Sequence, residues 1–216
     1  MSQPYPTVPF KAERARTDIF SAILRARREF GSKKIAIIDG DGRELSYNDV
    51  VRSAFALGSA LGQHVKKGEH VGIMLPTGAG AVLGFLATLV SGAVPSMLNF
   101  TAGSANLKAA LHTGQITKII IAHKFVEQGN LVADLSDSAE MIYLEDIRDG
   151  LKFTDKMKGA LGPMLPGMFR ASPDYRKAGV ILFTSGTEGA PKGVVLSHQN
   201  IIANVDQVRD KIGLSP

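Results

Sequence analysis

Apolar positions recur along this chain with two periods, and the switch between them lays out its elements. After Thr17-Asp18, which offers an N-cap, Phe20, Ile23, Leu24 and Phe30 follow helical spacing while Arg25, Arg27, Arg28 and Glu29 fill the other face. Ile35 to Ile38 then reads as a strand, Asp39-Gly40-Asp41-Gly42 as a turn and Arg43-Glu44-Leu45 as the partner strand of a β-hairpin. Ser46 caps a second helix with Asp49 in its first turn, and Val50, Val51, Ala54, Leu57, Ala60 and Leu61 supply its buried stripe.

From Val71 the period alternates. Strands are predicted at Val71 to Leu75, Val94 to Leu98 and Ile119 to Ala122, with helices at Ala79 to Ser91 and Ser104 to Thr113 between them. Short apolar strands separated by helices predict βαβ crossovers, hence an α/β fold: a layered, mostly parallel sheet with helices on both faces. The uncharged span from Val71 to Leu107 has the length to cross a bilayer, but Pro76, Gly78, Gly80, Gly92 and Pro95 cut it into short pieces. A buried α/β layer is therefore the expectation. A strand from Met141 to Leu144 precedes an irregular amphipathic connector over 151–175, in which Pro163 and Pro166 break any long helix. Its Phe153, Met157, Leu161, Met164, Leu165, Met168 and Phe169, set among Lys152, Lys156 and Lys158, read as packing or a surface flap. An acyl pocket or a membrane contact is the alternative. The expected organisation is an irregular arm over 1–16, a helix, hairpin and βαβ units over 17–150, the connector, and a strand-loop-strand and helix over 176–216.

Composition changes this picture little. The 216 residues are 44% hydrophobic, enough for one large core, and hold no Cys, so neither disulfide nor thiolate chemistry is available. The net charge of +5 is entirely N-terminal: eight Lys/Arg stand against three Asp/Glu through Lys34, and the remaining 17 and 17 cancel. A solvated helix face explains such a surplus, with an anionic membrane surface or an acidic carrier protein as alternatives. No signal-peptide pattern opens the chain, and a cytoplasmic location is expected. Ser197-His198 are sequence neighbours without a G-x-S-x-G elbow, and the five His residues show no metal-ligand spacing. No catalytic residue is certain and no metal ligand is assigned.

The most informative stretch lies near the end. Gly179 to Phe183 reads as a buried strand, Val194 to Ser197 as a second, and Thr184-Ser185-Gly186-Thr187-Glu188-Gly189-Ala190-Pro191-Lys192-Gly193 as the loop between. Gly186, Gly189 and Gly193 permit backbone conformations in which successive N–H groups face one concavity; Thr184, Ser185 and Thr187 add hydroxyls and Lys192 a mobile positive charge. Such a loop suits a polyphosphate, although a Gly/Ser/Thr/Pro cluster between strands can equally be a simple turn. It is not a P-loop, because Ala190-Pro191 separate Gly189 from Lys192.

Phe183 to Gly193 resembles the phosphate-binding signature of the adenylate-forming superfamily, which contains acyl-CoA synthetases, luciferases and peptide-synthetase adenylation domains. Glu188 stands where Thr is commoner. Together with Asn99-Phe100-Thr101-Ala102-Gly103, Tyr143-Leu144-Glu145-Asp146-Ile147 and Val194 to His198, it resembles most the acyl-acyl-carrier-protein synthetase domain of 2-acylglycerophosphoethanolamine acyltransferases. The resemblance implies nucleotide binding by Thr184, Ser185, Gly186, Thr187, Glu188, Gly189, Pro191, Lys192 and Gly193. ATP and Mg²⁺ are the implied cofactors, with fatty acid and acyl carrier protein or coenzyme A as partners. The adenine-binding segment, the Tyr-Gly-x-Thr-Glu motif with its Mg²⁺-binding Glu, the ribose-binding Asp and the catalytic Lys of that superfamily do not occur in these 216 residues. The chain thus reads as the N-terminal part of a fatty acid ligase's large AMP-binding domain, inactive alone. The competing expectation is a non-catalytic nucleotide- or partner-binding module. Peripheral contact with the inner face of the membrane and self-association through an uncovered apolar face are further expectations; nucleic acid is not expected.

Overall fold

In a computed structural model, which describes residues 12–124, 131–170, 173–184 and 191–212, the first helix begins where its cap predicts. Asp18 precedes α1 (Ile19–Phe30) and accepts hydrogen bonds from the Ser21 N–H at 3.0 Å and the Ser21 hydroxyl at 2.5 Å. These satisfy donors that the first helical turn leaves without partners. The hairpin follows as β1 (Ile35–Ile38) and β2 (Glu44–Ser46), antiparallel and forming a small sheet of their own. Gly42, at φ 82°, takes the left-handed conformation its turn requires. Ser46 and Asp49 close a reciprocal capping box on α2 (Tyr47–Leu61).

The alternating region folds into β3 (His70–Met74), α3 (Ala79–Ser91), β4 (Val94–Met97), α4 (Ser104–Gly114), β5 (Lys118–Ile121), α5 (Leu131–Ser136), β6 (Glu140–Tyr143) and α6 (Leu144–Asp149). The 151–175 stretch carries two short helices, α7 (Phe153–Leu161) and α8 (Pro166–Phe169); Pro166 opens the second, where its missing N–H costs nothing. The chain then enters β7 (Ala178–Thr184), β8 (Lys192–Ser197) and α9 (His198–Ile212).

Six strands form the main sheet in the order β6-β5-β3-β4-β7-β8. Every neighbouring pair is parallel except β7 with β8, which are antiparallel. Right-handed crossovers put α3, between β3 and β4, on one face, and α4 and α5, which lead the other way along the sheet, on the opposite face. The return from β6 to β7 brings α6 and α7 to the α3 face, where α2 packs against all three. Gly58 of α2 permits a close approach to α3: a Cβ there would stand 2.6 Å from Val90 and 2.8 Å from the Ala87 carbonyl oxygen. Strands β3 and β5 are buried on both faces, with Val71, Ile73, Met74, Ile119, Ile120 and Ile121 at most 1% exposed, as expected for a covered parallel sheet.

A second cluster, including Phe20, Val51, Phe55, Leu86 and Ile202, joins α1, α2, α3 and α9. At its edge lies a buried polar node. An Arg170 guanidinium N–H donates to Asp18 Oδ1 at 2.7 Å, and the guanidinium stands 5.0 Å from the Phe20 ring centre. His198 Nδ1 accepts the Ile19 N–H at 3.4 Å, and a Cβ on Gly179 would come within 2.9 Å of the His198 ring. The node ties the starts of α1 and α9 to the end of α8. Ser197 ends β8 and caps α9 through Asn200, and His198, the first residue of the helix, is 2% exposed.

Burial pushes the His198 imidazole below its usual range, so it stays neutral and able to accept from Ile19. Burial opposes ionisation of Asp18, but the Ser21 hydrogen bonds and the Arg170 charge outweigh it and lower its pKa. Both groups bind fewer protons folded than unfolded, so stability falls with decreasing pH. Urea titrations are expected to show a decline beginning near about pH 6.5, removed by His198→Gln, and a second below about pH 4. Arg170→Met, which leaves the Asp18 carboxylate buried without its cation, is expected to cost about 3 kcal/mol at neutral pH.

Candidate functional site

Strand β7 carries the loop singled out in the sequence, and its position follows from its pairing. Ser96 and Met97 of β4 register with Ile181 and Leu182 in parallel, so Phe183-Thr184 emerge beside Leu98-Asn99 at the carboxyl edge of the sheet. Beneath the loop, Phe183 is held between two glycines. A Cβ on Gly114, at the end of α4, would stand 2.8 Å from the ring, and one on Gly193 would stand 3.3 Å from it. The ring thus fixes the start of the loop against the main core.

Thr184 and Lys192 are opposite one another in the β7–β8 register, and both are exposed. Pro191, immediately before Lys192, is buried and restricts the backbone from which the lysine projects. Of the predicted residues, the fold therefore brings Thr184, Pro191, Lys192 and Gly193 together at one hairpin mouth. Ser185, Gly186, Thr187, Glu188 and Gly189 lie outside the described residues.

The helix starts along this edge differ in a way that bears on anion binding. The N-terminus of α3 already has its anion, because Asp39 of the hairpin turn accepts the Ala79 N–H at 3.3 Å and the Gly40 N–H at 2.9 Å. Those bonds, first Gly40 and then Ala79, lower the Asp39 pKa. The N-terminus of α4, which follows β4, carries no side-chain cap, its preceding residue being Gly103 at φ 81°. A helix start of this kind favours negative charge near it. Asn99 stiffens the approach by accepting from the Thr101 N–H at 3.0 Å and hydroxyl at 2.7 Å.

Sequence reasoning missed a second feature of this edge. His123, just past β5, stacks on Tyr143 with ring centres 4.2 Å apart, and its Nε2 lies 2.6 Å from Asp146 Oδ1. The Asp146 contact raises the His123 pKa. Nothing in local spacing links His123 with Asp146; the pairing of β5 with β6 does. A cleft of about 440 Å³ lies nearby between the hairpin, α3 and α6, lined in part by Asp39, Arg43, Leu75, Lys124, Glu145 and Arg148. Among the described residues no group of three or more His, Cys, Asp and Glu side chains is placed to hold a metal ion.

The match to an AMP-binding enzyme model covers residues 24–215, which includes every element from within α1 onward. The chain belongs to the AMP-binding enzyme family. Among curated relatives, a long-chain-fatty-acid–CoA ligase of Bacillus subtilis is 26% identical over 192 residues, covering 76% of this chain and 34% of the relative. The dapdiamide synthesis protein DdaD of Enterobacter agglomerans is 28% identical over 187 residues, covering 86% of this chain and 27% of the relative. The chain therefore spans about a third or less of the length of these AMP-binding relatives. Among solved structures, VinN in complex with 3-methylaspartate superposes with a TM-score of 0.73 at 19% identity, over 92% of this chain and 53% of VinN. The o-succinylbenzoate CoA synthetase of Bacillus subtilis, bound to an acyl-adenylate, gives 0.68 at 17% identity, over 90% of this chain and 46% of the synthetase. At such identities these structures establish the shared fold.

Phe183→Ala removes the ring that seats the loop's first residues between Gly114 and Gly193. The expected result is a loss of about 2 kcal/mol in urea unfolding, because the space it leaves lies under a hairpin that cannot fully collapse.

Proposed function

We propose that this AMP-binding chain is the phosphate-binding, N-terminal part of an ATP-dependent acid–thiol ligase that activates a fatty acid and passes it to acyl carrier protein or coenzyme A. The observation that carries the reading is the position of the Phe183–Gly193 motif. Its described ends, Phe183-Thr184 and Lys192-Gly193, pair at the carboxyl end of β7, in a chain whose family is established. Ligands of open α/β sheets bind at this edge, where successive crossovers leave for opposite faces, as they do here after β3 and β4.

The chemistry asks for neutralisation of charge. A fatty-acid carboxylate attacks the α-phosphorus of ATP, and the α–β bond breaks to release pyrophosphate; a thiol then displaces AMP from the acyl-adenylate. In this reading the hydroxyls of Thr184, Ser185 and Thr187 and the N–H groups at Gly186, Gly189 and Gly193 hold the β- and γ-phosphate oxygens. Lys192, placed by Pro191, balances charge on the departing pyrophosphate. Glu188 turns outward or meets a cation, since a carboxylate against a triphosphate is repelled. Mg²⁺, when bound, would add to this neutralisation; its protein ligand belongs outside the described residues. The match to a fatty-acid–CoA ligase supports an acyl substrate, and the Glu188-containing motif supports the carrier-protein branch.

Acid-dependent ATP–pyrophosphate exchange on the natural polypeptide that contains this chain tests the proposal, with fatty acids and amino acids as substrates. Exchange is expected with fatty acids, reduced roughly 10²-fold by Lys192→Ala and less by Lys192→Arg, which keeps the charge but alters its geometry. Exchange with amino acids alone would overturn the substrate assignment. Exchange with neither would overturn the ligase reading and leave a non-catalytic binding module.

A further inference from the structure

Helix α7 is amphipathic in the inverse sense. Its side toward α2 is made of small and polar residues: Asp155 and Gly159 are buried, with Gly162 just beyond the helix. A Cβ on Gly159 would lie 2.9 Å from the Arg52 carbonyl oxygen, so only glycine lets the helix approach α2 this closely. The large apolar side chains are turned outward instead. Phe153 is 80% exposed, and Met157 and Leu161 continue its row at helical spacing; Met164 and Met168 follow at 74% and 71%, with Leu165 also exposed. At about 100° per residue, Phe153, Met157 and Leu161 fall in one arc while Asp155 and Gly159 lie on the far side. A helix held to its domain by glycine while presenting phenylalanine and methionine to solvent is built to meet something apolar.

The exposed charges of this stretch are of one sign. From Leu151 to Arg170 the exposed charged side chains are Lys152 and Lys156, with Lys158 half-buried. The acid of the stretch, Asp155, is 2% exposed and accepts from the Ser59 hydroxyl at 2.6 Å and the Lys152 N–H at 3.1 Å. Arg170 is turned inside onto Asp18. Lys156 flanks the apolar arc on one side; Lys158, on the other, is turned onto α2, where its ammonium donates to the Ser59 hydroxyl at 2.9 Å.

We propose that the α7–α8 face docks on an anionic phospholipid bilayer, with Phe153, Met157, Leu161, Met164, Leu165 and Met168 entering the headgroup–acyl boundary and the exposed Lys156 meeting lipid phosphate. Apolar insertion flanked by lysines is the pattern of an interfacial helix. No helix among the described residues is long and apolar enough to cross a membrane, so the face lies on the bilayer and does not span it. A second copy fits less well, because a two-fold contact through this arc would bring like-charged lysines together. A polar protein partner fits less well too, since Thr154 and the lysines are the arc's main hydrogen-bonding side chains. The inference stands on this surface and does not depend on the ligase reading.

The chain has no Trp, so Phe153→Trp and Met168→Trp report on this face without background. With vesicles of equal phosphatidylglycerol and phosphatidylcholine, both variants should show a blue-shifted, brighter emission that weakens as salt is raised; phosphatidylcholine alone should give little change. In vesicle sedimentation of the full 216-residue chain, Lys156→Gln should weaken binding about fivefold. Phe153→Asp with Met168→Asp should abolish it, with the circular-dichroism melt unchanged because both side chains are exposed. Unchanged emission of the folded Trp variants on anionic vesicles would overturn the proposal. Equal binding to neutral vesicles, or a blue shift without lipid accompanied by a doubled mass, would overturn it in favour of uncharged apolar contact or a second copy.

Discussion

The parallel pairing of β4 with β7 is the contact on which the site depends. It is made by strands from opposite halves of the chain, Ser96-Met97 against Ile181-Leu182, and it decides where the loop after Thr184 opens. Ser96 is fully buried within it. Without this pairing the glycine-rich loop would be an exposed turn on a free hairpin. With it, Phe183-Thr184 leave the sheet beside Leu98-Asn99, at its carboxyl edge. The cost of closing so long a loop is met by the buried strands on either side, whose apolar side chains leave water on both faces.

Helix α2 performs the corresponding task on the other face. It packs on α3 through Gly58, on α7 through the Gly159 approach and on α1 through Phe20 and Phe55, whose rings meet edge to face at 5.2 Å. Because α7 is fixed by small residues, its large ones are left outward, and this economy of packing produces the exposed apolar surface. The buried Asp18–Arg170–His198 node then joins α1, α8 and α9 around the base of β7. The β7–β8 hairpin and the α7–α8 surface are therefore anchored to one framework from different sides.

Much of this was legible from residue pattern, and the reasons are local. The caps at Asp18 and Ser46, the hairpin turn ending at Gly42, and the strands from β3 to β5 are each specified by neighbouring residues acting through period and turn chemistry. Long-range partners were not. Periodicity marks α7 as amphipathic but cannot say that the glycine side faces inward. Likewise, the reversal of β8 against β7 gives no local signal, the burial of His198 depends on Gly179, Asp18 and Arg170, and His123 meets Asp146 only because β5 and β6 pair. At the site, the motif was readable as chemistry, and the fold supplied the location of Thr184, Pro191, Lys192 and Gly193; the five residues from Ser185 to Gly189 lie outside what the structure describes.

The central claim is that the mouth formed by Thr184 and Lys192 receives the polyphosphate of ATP. Phosphorus NMR of Mg²⁺–ATP titrated with this chain tests it most directly, since each phosphate reports separately and weak binding suffices. The account predicts broadening and shifts of the β and γ resonances that are lost with Lys192→Ala and competed by tripolyphosphate. Resonances that are unperturbed by the folded chain, or perturbed equally by the Lys192→Ala variant, would contradict it.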